Sequence, residues 1–228
     1  MAVIHNTTMS PGKLELLTSW LPTRPWYVGT GRAPELTKVG GFRLDDPEGE
    51  VGIEFMVVTD ASGETPRSYH VPLSYRGAPL DGADEALVDT SEHGVLGKRW
   101  VYDGTHDPVL VAQLISLLQG RTEAQAQSVS DTPDASVISH FTAAGTSAET
   151  ETEVTSLAIT DGQHGTAVVV ETVASTLTLE VTRVLPPEQQ VSGTGTTEAQ
   201  GHVTAGWRLP DGGEGRAPFV LLVSDTAR

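Results

Sequence analysis

With 228 residues, 38% of them hydrophobic, the chain is long enough to bury a proper core as one large or two small domains. Its 14 basic and 30 acidic side chains leave a net charge of −16, which argues against nucleic acid or an anionic membrane as partner, since both need positive surface. There is no cysteine, which excludes disulfides, thiolate metal sites and cysteine nucleophiles, and no long apolar run or basic-then-apolar leader is visible, so a cytoplasmic location is expected.

In chain order, Val3 to Thr8 reads as a short opening strand. Ser10 offers a helix N-cap with Pro11 in the first helical position, where a missing N–H costs nothing. Leu14, Leu16, Leu17 and Trp20 supply the apolar face of that helix, and Pro22 stops it. The stretch Trp20 to Gly29 holds three of the eight Trp and Tyr residues among two prolines and an arginine, and reads as a rigid corner. Strands are expected at 41–46, 50–59 and 67–76, joined by turn chemistry at Asp46-Pro47-Glu48-Gly49 and Asp60-Ala61-Ser62-Gly63. Val51, Ile53, Phe55 and Val57 alternate with Gly52, Glu54 and Met56, the period of a strand with one buried face.

A further strand spans Gly97 to Tyr102. Asp107 then caps a second helix, Pro108 opens it and Gly120 follows its last turn. The apolar residues Val109, Leu110, Val111, Leu114, Ile115, Leu117 and Leu118 surround that helix nearly completely, so it should be buried on several sides. Residues 121–134 are polar and read as a linker. Beyond it come Thr/Val-rich strands at 135–143, 152–160, 165–173, 176–185, 202–209 and 217–223, with a long loop at 186–201. The expected fold class is α+β and β-dominated: a curved antiparallel sheet with two helices over 1–120, then a second all-β or cystatin-like unit over 135–228.

Chemistry is harder to find. His93, His106 and Asp107 cluster with Asp103, but no pair has the one-turn spacing that places two metal ligands on one helix face, and Asp107 is occupied as a cap. No strained Gly-x-Ser-x-Gly elbow supports a hydrolytic triad. No metal, cofactor or catalytic residue is expected. Trp26, Tyr27, Trp100 and Tyr102 could stack on a sugar ring or equally fill a corner core, and core is favoured.

Taken together these pieces resemble the N-terminal cap of actinobacterial maltokinases and related glucosamine kinases. The resemblance rests on Trp20, Leu21, Pro22, Arg24, Trp26, Tyr27 and Gly29, then Tyr69-His70-Val71-Pro72, then Tyr102-Asp103 leading into the helix that ends at Gly120. Pro25 separates the arginine and tryptophan that are usually adjacent. The match spans roughly residues 1–120.

The resemblance implies that the strand near 177–185 corresponds to the one bearing the ATP-contacting lysine in those kinases. That position falls on Glu180 here, and no lysine follows Lys98. A carboxylate would repel nucleotide phosphates. The expected function is therefore a non-catalytic, stand-alone cap-like protein with a regulatory or scaffolding role near sugar-kinase or glucan/trehalose metabolism. Its expected partners are a sugar kinase or a second copy of itself. The alternatives are a carbohydrate-binding module or, less favoured, a sugar-active enzyme. Arg24, Trp26, Tyr27, Trp100, Tyr102 and His106 form the expected ligand or partner surface, with Arg24 reaching a nearby carboxylate.

Overall fold

The fold is described from a computed structural model, over residues 8–127, 129, 132–142, 153–173, 175–186 and 199–223. All of the expected opening strand at Val3–Thr8 except Thr8, and most of the 186–201 loop, lie outside the described residues.

The first half of the chain builds an antiparallel run of sheet from β1 (Met9–Ser10), β2 (Leu36–Leu44), β3 (Gly52–Asp60), β4 (Arg67–Arg76), β5 (Leu87–His93) and β6 (Gly97–Asp103), in the order β1-β5-β6-β4-β3-β2. Helix α1 (Lys13–Trp20) covers one face of it. That helix begins later than the sequence suggests, because Ser10 is drawn into pairing opposite Glu92 of β5. Gly12 then takes the N-cap position, and the Glu15 carboxylate reaches back to accept its N–H at 3.2 Å. At the other end Pro22 lets the chain tighten into the 3₁₀ turn Leu21–Thr23, where the Thr23 hydroxyl donates to the Trp20 carbonyl at 2.6 Å.

Helix α2 (Pro108–Leu118) starts as its sequence prescribes. The Asp107 carboxylate accepts the Val109 N–H at 3.0 Å, and Gly120, at φ +69°, turns the chain out of the helix. The short β7 (Gln125–Ala126) pairs with β2, and Ala124 beside it is buried, so part of the polar 121–134 stretch is tied to the core.

The second half supplies β8 (Ile138–Phe141), β9 (Val154–Asp161), β10 (Gly165–Thr172), β11 (Thr176–Thr182), β12 (Val184–Leu185), β13 (Ala199–Arg208) and β14 (Glu214–Val223). These run β13-β14-β11-β10-β9, with β8 beside β13. The described strands form one fourteen-stranded sheet in which the two halves meet twice: Trp207 of β13 pairs with Gly40 of β2, and Val184 of β12, off the main path, pairs with Tyr69 of β4. The first meeting needs a residue without a side chain. A Cβ on Gly40 would lie 3.0 Å from the Trp207 backbone, and the next glycine, Gly41, holds φ +122°.

Ladder pairing at these meetings is short, one register pair at Gly40–Trp207 and two between β12 and β4. At about 1 kcal/mol net per hydrogen bond, against about 1.5–3 kcal/mol for each fully buried large apolar side chain, burial dominates their cohesion. The core shared by the two halves holds Phe42, Phe55 and Val57 from the first, Leu179, Trp207 and Phe219 from the second, and the buried face of α2. Phe42 stacks on Phe55 with centroids 4.6 Å apart, and the His70 ring lies between Phe55 and Phe219, 4.3 Å from the latter.

The alternation read along β3 is present, but its meaning differs. Ile53, Phe55 and Val57 face the shared core, whereas Met56 and Val58 face α1, so both faces of the strand are buried. Glu54 sits on the face that period-two reasoning assigns to water.

Candidate functional site

The aromatic corner is a packed structure. Trp20 and Trp26 meet edge to face with centroids 5.8 Å apart, and Trp26 and Tyr27 both lie against Tyr69. The Tyr69 hydroxyl accepts the Val28 N–H at 3.2 Å, and the Tyr27 hydroxyl donates to Asp60 at 2.7 Å. Asp60 also accepts the Glu35 and Ser62 amides at 2.9 Å each. Burial acts to raise its pKa, but the Tyr27 hydroxyl and the two amides win and hold the carboxyl below its ordinary range.

The carboxylate expected for Arg24 is not where its side chain goes. Its guanidinium lies over the Trp20 ring at 5.0 Å and its Nε donates to the Thr23 hydroxyl, and among the described residues it forms no ion pair. A compact, twice-proline-interrupted turn keeps Arg24 on the outer side of Trp20, while Tyr27 is the residue that reaches an acid.

The cation that does enter this corner comes from the second half. Arg183, in the break between β11 and β12, is fully buried and stacks over Trp26 at 5.0 Å. One terminal nitrogen donates to both oxygens of the buried Asp103 at 2.8 and 2.7 Å and to the Thr105 hydroxyl at 3.1 Å, while Nε donates to the Thr166 hydroxyl at 2.8 Å. Burial raises the Asp103 pKa; the Arg183 charge and hydrogen bonds more than reverse this and leave the acid below its usual range. Arg183 also shapes the backbone, its carbonyl accepting the His70 N–H at 2.9 Å. His70 itself bonds through Nδ1 to the Thr182 carbonyl at 2.9 Å, and burial pushes its pKa down to about 3.

A second buried acid, Glu54, lies under α1. Lys13 and Lys38 both pair with it, the Tyr75 hydroxyl donates to it at 2.8 Å and the Gln127 amide at 3.1 Å. Burial raises its pKa and the two lysine charges lower it, with the net result below the ordinary value; the Tyr75 hydroxyl is pushed well up by burial and by Glu54. Beside Lys13 and Tyr75, among Leu16, Leu17, Leu73, Val88 and Val101, is a shallow crevice with no room for a water molecule.

The expected surface residues separate into two groups. Trp26 is fully buried next to the partly exposed Tyr27, in the cluster under α1. Tyr102 is also buried, its hydroxyl accepting the Leu80 N–H at 2.9 Å, and it packs with the half-buried Trp100 in a separate cluster with Ala83 and Ala86. Lys98 lies 5.0 Å over Trp100. His106 is half-buried at the end of the 3₁₀ turn Gly104–His106.

The His and Asp cluster is distributed over structural tasks. Asp103 holds Arg183, Asp107 caps α2 and takes Arg76 at 2.7 Å, and His93 accepts the Leu96 N–H at 3.0 Å. Among the described residues no group of three or more His, Asp or Glu side chains is arranged around a metal position. Sequence reasoning missed Arg183, Glu54 and His70. The one available signal was a charged or imidazole side chain set among strand residues whose neighbours are Val, Phe, Leu or Ile.

Residues 20–107 match the family described as the maltokinase N-terminal cap domain. The matched segment runs from Trp20, at the aromatic corner, through β2 to β6 and ends at Asp107, the cap of α2. The residues that carried the resemblance, in the corner, in Tyr69-His70-Val71-Pro72 and in Tyr102-Asp103, all lie within the matched segment. The chain contains a maltokinase N-terminal cap-like domain.

Proposed function

We propose that this protein is a non-catalytic cap-like module that docks on a sugar-kinase catalytic region, or on a second copy of itself, and regulates or scaffolds cytoplasmic sugar or glucan metabolism. In this reading residues 1–120 are the cap, and 135–228 form a β-rich unit packed against it. The match of residues 20–107 to the kinase cap family carries the proposal. Glu180 supports it: the position that the kinase resemblance assigns to the nucleotide-contacting lysine is an exposed carboxylate on β11, in register with Ala167 and Leu221. The buried ionic groups support it too. Asp103, Arg183 and Glu54 are all committed to internal partners, which suits a rigid body that acts through its outer surface.

Size-exclusion chromatography and pull-down against a maltokinase catalytic region test this directly. A complex, or a defined homo-oligomer, is expected; a protein that stays monomeric and captures no kinase region refutes the proposal. Thermal-shift titration with maltose, trehalose, glucosamine and glycogen should give a flat response, whereas a shift that disappears in Trp100→Ala would transfer the function to carbohydrate binding.

A further inference from the structure

On the outer face of the β8–β13 pair two histidines stand directly opposite each other. His140 of β8 and His202 of β13 are register partners in an antiparallel pair, and their rings lie 5.4 Å apart at 13° between planes. His140 is exposed and His202 half-buried, on the side of β13 opposite to the inward Gly201, Val203 and Ala205. Gly201 lets the strands close up at this point, since a Cβ there would meet the His140 carbonyl at 2.8 Å. Among the described residues neither imidazole has a side-chain hydrogen bond or ion pair to account for the pairing, and the two rings would repel each other if both were protonated.

We propose that His140 and His202 form a two-imidazole site for a first-row divalent transition metal, preferring copper(II) over nickel(II) and zinc(II). An imidazole nitrogen binds such an ion at about 2.0–2.1 Å, which puts the ring centre about 3.2 Å from the metal. For N–metal–N angles between square-planar and tetrahedral, two ring centres are then about 4.5–5.3 Å apart. The observed 5.4 Å is just outside that range, and the near-parallel rings must turn toward each other before one nitrogen of each can reach a shared point, a movement open to the exposed His140 side chain. Imidazole suits these ions and not calcium or magnesium, and the Irving–Williams order sets copper first. Burial and the neighbouring His140 lower the His202 pKa, so a neutral lone pair is available for the metal near neutral pH. The net charge of −16 favours cation approach generally. Water completes the coordination, so binding is weaker than in closed sites with three or four protein ligands. A bound ion would staple β8 to β13.

The untagged full-length protein, freed of metal with a chelator, is titrated with copper(II), nickel(II) and zinc(II) by calorimetry and, for copper, by electron paramagnetic resonance. One equivalent should bind, with nitrogen hyperfine structure from two imidazoles, and each of His140→Gln and His202→Gln should weaken binding at least tenfold. Undiminished binding in both variants, or no stoichiometric uptake by the parent protein, overturns the site. The parent protein also reports independently of whether either variant folds. Copper should broaden the amide resonances of Ser139, His140, His202 and Val203 before any others, and broadening that begins around another histidine refutes the assignment.

Discussion

Asp103 and Glu54 are carboxylates buried to nearly the same depth, yet their cations differ. Asp103 faces Arg183, whose side chain is 0% exposed, whereas Glu54 faces Lys13 and Lys38, whose side chains remain 37% and 36% exposed. The first pair has left water altogether and joins two halves of the chain. The second keeps two ammonium groups in contact with solvent, so losing a lysine strands less charge. Two buried acids therefore have different consequences: one specifies how β11 and β12 seat on the aromatic corner, and the other fastens α1 over one face of β3 and ties it to the neighbouring β2.

The sharpest way to break this contrast is Arg183→Met. It leaves Asp103 buried and unpaired and should cost about 3–5 kcal/mol in urea unfolding, whereas Arg183→Met combined with Asp103→Leu should recover much of the loss. A double variant no better than the single would show that Arg183 acts through its contact with Trp26 and not through its charge.

His70 separates the ionic effects from a proton-linked one. Its pKa is about 3 when folded against 6.5 for the free side chain, so below pH 6.5 the unfolded chain binds the additional proton and stability falls until about pH 3. Between pH 6.5 and 5 the loss should be about 2 kcal/mol. His70→Leu should flatten that slope; an unchanged slope would move the effect to another group. Asp103 and Glu54, both depressed below the carboxylate range, lose their contribution only at lower pH, as they protonate.

On the Glu54 side the effects should be smaller. Glu54→Gln keeps the shape and removes the charge, at about 1–2 kcal/mol, while Lys38→Ala should fall under about 1 kcal/mol because its 3.5 Å contact is solvent-screened. If Lys38→Ala matched Arg183→Met, the comparison would collapse. Smallest of all is Arg24→Ala, a cation over an aromatic ring at the surface, expected to cost about 0.5–1 kcal/mol in the same denaturation assay.

The parts of the fold legible in the sequence are those governed by local chemistry. Asp107, Pro108 and Gly120 bound α2 because capping and φ preferences act within a few residues. The Thr/Val-rich runs after residue 135 became strands for a similarly local reason. Pairing across the chain was not legible. Ser10 lost its capping role because β5, far along the sequence, claims it as a strand residue. The alternation of β3 gave its register but could not reveal that two layers, α1 on one side and α2 with the second half's strands on the other, would bury both faces. For the site, the corner's aromatic spacing pointed to the right family but not to the right cation. Arg24 was near in sequence, and Arg183 was near only in space.

The Gly40–Trp207 crossing also has a consequence for how the chain reaches this state. Its partners are separated by most of the polypeptide, and Phe42, Phe55 and α2 lack much of their apolar cover until β13 and β14 arrive. Loop closure over such a span must precede the contacts that reward it, which slows folding and leaves a sticky sheet face exposed meanwhile. Synthesis from the N-terminus therefore produces the cap-like segment first, and it must wait, partly unclothed, for the strands that complete its core.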